Sequence, residues 1–177
     1  MKNHLMLDLE TLGVNPGCAI LSFAAMPFDL KTGTTSEPFY TTIDLNSSIN
    51  AGLKIEPDTF KWWMKQNDQA RGLVSKTGLS LEEALRDFQY FISIQFAGDP
   101  FSVWGNSSSF DCSILKSAYD ICKLDLPWNV FNERDYRTVK GLFPANLPKK
   151  DSEKAHDPIY DCEYQIECLV QILNSLK

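Results

Sequence analysis

His4-Leu5-Met6-Leu7-Asp8-Leu9-Glu10 is the stretch that decides how the chain is read. Leu5, Leu7 and Leu9 alternate with Met6, Asp8 and Glu10, the period of a strand whose two faces differ. Asp8 and Glu10 leave the same face, their Cα atoms about 6.5 Å apart. A bare carboxylate buried among Leu and Met costs several kcal/mol. The pair therefore marks either a strand end emerging into water or a site that uses both charges.

Outward from this strand, Leu12 to Gly17 is a turn and Ala19 to Phe28 a second, largely buried strand. Thr32-Gly33 turns the chain into a third strand, Pro38 to Leu45. Such short connections predict an antiparallel meander. Asp58 to Gln69 reads as a helix with Phe60, Trp63 and Met64 on one side. Ser80 caps a longer helix reaching about Phe96, with Glu83 at the capping-box position. Phe101 to Trp104 is a short strand. Asn106 or Ser107 caps the next helix, whose stripe is Phe110, Ile114, Ala118 and Ile121. A helix around Glu133 to Leu142 and a polar loop from Leu147 to Ala155 follow. Asp157 caps the last helix, with Pro158 at its first position. Ile159, Cys162, Ile166, Leu169, Leu173 and Leu176 form its seam. The order β-β-β-α-α-β-α-α-α predicts an α/β fold, a mixed sheet covered by helices.

The 177 residues suit one domain, 1–177, and their 44% hydrophobic share is enough for a core. Seventeen basic against 23 acidic residues give a net charge of −6, which excludes a broad nonspecific binder of nucleic acid or anionic membrane. Cys18, Cys112, Cys122, Cys162 and Cys168 are odd in number and form no C-x-x-C, which disfavours a disulfide scaffold or zinc knuckle. With no secretory signal and no apolar run long enough for a bilayer, a cytoplasmic protein without membrane attachment is expected.

Three further residues matter beside Asp8 and Glu10. Asp111 sits in the first turn of a helix, where the dipole favours an anion. Asp161 lies about one turn into the last helix, and His156 on the loop before its cap. Each has a plain alternative: a helix-end charge or a solvated loop histidine. Together, four carboxylates at the ends of elements of one sheet can converge. They cannot stay ionised together without cations. Oxygen-only ligands favour Mg²⁺ or Mn²⁺. Two such ions clamp the attacking and leaving oxygens of a phosphoryl displacement.

Asp8-Leu9-Glu10-Thr11, Asn106-Ser107-Ser108-Ser109-Phe110-Asp111 and His156-Asp157-Pro158-Ile159-Tyr160-Asp161 resemble the three motifs of the DEDDh (DnaQ-like) 3'-5' exonucleases, across essentially the whole chain. The tyrosine variant of that family has Tyr where this chain has Asp157. Asp58-Thr59-Phe60-Lys61-Trp62-Trp63 and Arg134-Asp135-Tyr136-Arg137-Thr138 are most similar to the branch with phage DexA, RNase AS and the N-terminal region of exonuclease VIII. Pro158 departs from the small residue of many relatives.

The resemblance implies an RNase H-like fold and a two-metal exonuclease on single-stranded nucleic acid. Asp8, Glu10, Asp111 and Asp161 would be its ligands to two Mg²⁺, with Mn²⁺ able to substitute, and His156 its general base. Products would be 5'-mononucleotides from the 3' end. Leu9, Thr11 and Leu12 would line the terminal-nucleotide pocket, with Asn106, Trp62, Trp63 and Arg137 as further substrate contacts. Trp62 and Trp63 point about 100° apart on a helix, so one packs in the core and the other is free to stack on a base. The RNase AS likeness favours RNA, the phage relatives DNA. A homodimer is compatible with the family.

Two rival readings are an inactive nucleic-acid-binding relative and an endonuclease of the wider RNase H-like group. Ser113-x-x-Lys116 and Lys76-Thr77-Gly78 mimic a penicillin-binding enzyme, but in reversed order and without S-D-N. From Arg134 to Lys154, six basic residues stand against three acidic ones, either a solvated loop or an approach for phosphate.

Overall fold

The computed structural model describes residues 2–143, 147–152, 154 and 156–176. Part of the polar loop expected over Leu147 to Ala155 lies outside them. Among the described residues, five strands form one sheet in the order β3-β2-β1-β4-β5. They are β1 His4–Thr11, β2 Ile20–Phe28, β3 Phe39–Thr42, β4 Ser102–Gly105 and β5 Glu133–Asp135. β1 is central, antiparallel to β2 and parallel to β4. β5 is parallel to β4 at the edge. This is the mixed α/β sheet that the sequence predicts.

The alternation in β1 is real, and both faces are covered. Leu5, Leu7 and Leu9 enter one core with α4 (Leu81–Phe96) and α5 (Asp111–Cys122). Phe88 of α4 packs edge-on against Phe23 there. Met6 enters a second core with Trp104, with Tyr136 of α6 (Tyr136–Leu142) and with Cys162, Ile166 and Leu169 of α7 (Pro158–Ser175). α7 thus lies along the face that carries Asp8 and Glu10.

Local signals place the best-read elements. Ser80 and Glu83 make the reciprocal capping box of α4. The Asp157 carboxylate accepts from the N–H groups of Ile159 and Tyr160, and Pro158 opens α7. No described helix is long and apolar enough to cross a membrane.

Several expectations need correction. The helix expected over Asp58 to Gln69 is two helices, α2 (Pro57–Trp63) and α3 (Asp68–Val74), because Asn67 caps a new start through Ala70 N–H. Phe60 and Met64 are exposed, leaving Trp63 as the buried member of that stripe. The third strand ends at Thr42, and Leu45 opens a short helix, α1 (Leu45–Ala51), capped by Asp44. Glu133 to Asp135 pair with Val103 to Gly105 as a strand, and the helix starts after Asp135, which caps it. Neither Asn106 nor Ser107 is the N-cap of α5; Phe110 is, with no side-chain cap bond. Leu176 is exposed beyond the seam.

Candidate active site

Asp8 and Glu10 point from the C-terminal half of β1 toward the first turns of α7. There they meet Asp161, and oxygens of the three carboxylates lie within 4.8 Å of one another. All three residues are buried. The β1–β2 pairing shifts register between Glu10 and Thr11, an irregularity of the kind that re-aims side chains beside active sites.

Asp111 approaches from the other side of the sheet's end. It is 2% exposed, and its Oδ2 accepts Ser107 N–H at 3.2 Å. Gly105, the last residue of β4, makes room: a Cβ there would stand 2.7 Å from Asp111 Oδ2. Burial pushes the Asp111 carboxyl up to about 7, against backbone hydrogen bonds from Ser107, Leu9 and Asn106 that hold it down. Burial raises Asp8 well above its ordinary value, and the charges of Asp111, Glu10 and Asp161 add to it. Burial also raises Glu10, against the pull of His156. Four acids crowded at one sheet end fit divalent cations, which would remove this mutual penalty.

His156 stands at the mouth. Its Nδ1 is 3.5 Å from Glu10 Oε1, and this contact raises its pKa. Its φ is +70°, a left-handed conformation uncommon outside glycine. The rings of Trp62 and Trp63 flank the imidazole edge-on, at 5.1 and 5.8 Å between centroids.

The two tryptophans divide as a helix requires. Trp63 is 1% exposed and donates Nε1–H to Thr11 O at 2.8 Å, tying α2 to the end of β1. Trp62 is 42% exposed. Both line a cleft of about 540 Å³ with Leu9, Glu10, Thr11 and His156. The Glu56 carboxylate closes the loop after β1 by accepting the N–H groups of Val14 and Asn15. Three expected contacts are not brought to this cleft. Leu12 is fully buried in the core; Asn106 is half-buried and its carbonyl accepts Arg137 N–H; the Arg137 side chain is exposed on α6.

Sequence reasoning missed Gln165. Its Nε2 donates to Asp8 Oδ1 at 2.8 Å, from one turn beyond Asp161 on α7. The signal was a polar residue four after Asp161, within a seam of apolar ones. It also missed Lys150, whose Nζ lies 2.6 Å from Asp161 Oδ1.

The family model described as the 3'-5' exoribonuclease Rv2179c-like domain matches residues 3–173. No curated protein matches significantly. Several solved structures share the fold, three of them as follows. Exonuclease I, in its E. coli form also solved with a dT13 oligonucleotide, aligns with a TM-score of 0.62 at 19% identity, over 98% of this chain and 42% of its own. The cell-death related nuclease CRN-4 gives 0.63 at 16%, over 99% and 64%. The nuclease domain of 3'hExo, a DEDDh family member bound to rAMP, gives 0.60 at 10%, over 97% and 92%. The chain thus spans less than two thirds of the first two.

Proposed function

The chain belongs to the Rv2179c-like 3'-5' exoribonuclease domain family, and from that membership we propose that it removes 5'-mononucleotides from the 3' end of single-stranded RNA. The observation that carries this reading is the buried triangle of Asp8, Glu10 and Asp161, with His156 beside Glu10 at the mouth of an open cleft.

Asp8, Glu10 and Asp161, with Asp111 behind them, would hold two Mg²⁺ ions, and Mn²⁺ would suit the same oxygens. When bound, such ions stabilise charge developing on the phosphate and make a bound water more acidic. Gln165 holds Asp8 in orientation by its amide hydrogen bond. Glu10 stands 3.5 Å from Nδ1 of His156, a partner that favours a proton on that nitrogen, so Nε2 would be the base for the attacking water. Trp62 offers its exposed face to the terminal base, and Leu9 and Thr11 shape the pocket wall.

Matched 5'-labelled RNA and DNA strands with Mg²⁺ or Mn²⁺ test the proposal. The expected result is a ladder from RNA, shortened from the 3' end, and none from the Asp8→Ala variant. A stronger ladder from DNA would move the assignment to an exodeoxyribonuclease. No ladder from either strand would leave a binding relative.

A further inference from the structure

Lys150 has no part in the chemistry above, yet its ammonium touches the site. Besides pairing with Asp161, its charge lowers the proton affinity of both Glu10 and His156. A flexible surface lysine reaching in by chance would show no supporting structure. Here the supporting structure is present. Tyr160 and Tyr164, one turn apart on α7, clasp the segment that carries Lys150. Tyr160 Oη accepts Asp151 N–H at 2.8 Å, and Tyr164 Oη donates to Pro148 O at 3.1 Å. Lys150 Nζ lies 5.9 Å from the centre of the Tyr164 ring. Asp161 follows Tyr160 directly, so clasp and carboxylate share one turn of helix.

We propose that Lys150 is a built-in counter-cation. It neutralises Asp161 until a divalent ion takes that carboxylate, and the released ammonium then pairs with a phosphate of the incoming strand. The proposal rests on the metal-dependent reading above. An ammonium 2.6 Å from Asp161 Oδ1 stands where a cation on that oxygen would have to sit, so lysine and metal compete. The side chain is 39% exposed, so its four-carbon stem can pivot outward from the clasped backbone, giving up its place over the Tyr164 ring. A phosphate that holds Lys150 outward removes the competitor. Strand and metal therefore strengthen each other's binding, and by the same factor.

The full chain, with Lys150→Met and Lys150→Arg variants, tests this. The readouts are Mn²⁺ titration followed by the spin-resonance signal of free Mn²⁺, and melting without metal. The titration is repeated with an RNA strand whose terminal linkage resists hydrolysis. Lys150→Met is expected to bind Mn²⁺ about fivefold tighter or more, while melting lower without metal. Added RNA should improve its Mn²⁺ affinity less than it improves that of the wild type. Lys150→Arg should stay near wild type in all three. Unchanged or weaker Mn²⁺ binding by Lys150→Met, beside normal binding by the wild type, would overturn the proposal and leave the nuclease reading standing. A wild type that binds no Mn²⁺ would overturn both.

Discussion

The chain's two histidines meet opposite ends of β1, each beside tryptophan, and their proton affinities move in opposite directions. His4 opens the strand. Its Nδ1 accepts Trp104 Nε1–H at 3.1 Å, and its ring packs 5.4 Å from that of Phe28. Burial lowers its pKa, and the indole donor occupies one of its two ring nitrogens. His156 faces the strand's other end, where a carboxylate replaces the indole N–H and raises the pKa instead. One imidazole is held as a neutral acceptor within the packing. The other is held at a cleft mouth beside a carboxylate. Burial moves the first imidazole, and the carboxylate at Nδ1 moves the second.

The sharpest way to break this comparison is to delete each ring. His156→Ala should lower kcat by about 10²- to 10⁴-fold while leaving Mn²⁺ binding nearly intact. His4→Ala should leave kcat unchanged and lower the melting temperature. Wild-type turnover by His156→Ala at neutral pH would end the assignment of the base.

The tryptophans beside His156 give the next largest contrast. Trp63→Ala, at a buried ring, should cost about 3–5 kcal/mol of stability in a denaturant titration. Trp62→Ala should barely change stability but weaken RNA binding by about 1–3 kcal/mol. Unaltered RNA affinity would remove Trp62 as the stacking surface.

The smallest effect is on pH dependence without metal. Asp8, Glu10, Asp111 and His156 all have raised proton affinities, so between pH 5 and 8 these four bind more protons in the folded metal-free chain than in the unfolded one, against the single opposing shift of His4. Stability then falls as pH rises. For the carboxyls the fall begins near their unfolded value of about 4, and for Asp111 it runs to about 7. The melting temperature of the metal-free protein should drop several degrees between pH 5 and pH 8, and saturating Mg²⁺ should flatten the curve. A metal-free melting temperature that climbed with pH would contradict the acidic cluster's electrostatics.

Legibility followed the range of the interactions. The leucine alternation of β1, the Ser80–Glu83 box and the Asp157-Pro158 start all depend on neighbours within four residues, and each was readable. β5 was not, because three residues carry no period, and Glu133 to Asp135 are a strand only by pairing with β4. The break between α2 and α3 hid because apolar residues continue across it, while the stop is a cap by Asn67. In the site, the acidic residues were visible as motifs, whereas Gln165 was masked as a helix residue and Lys150 as one of several loop cations.

Sequence alone determined the mixed sheet, the strand that carries Asp8 and Glu10, and the three acidic segments, since backbone period and capping chemistry are local. The tertiary structure alone decided which groups share a charge. It brought Asp8 to Gln165 across 157 positions, set Asp111 apart among backbone donors, turned Trp63 inward and Trp62 outward, and laid Lys150 on Asp161. Those choices follow from how α2, α5 and α7, and the segment that carries Lys150, pack around the end of β1. Such contacts join distant positions, and no local pattern records them.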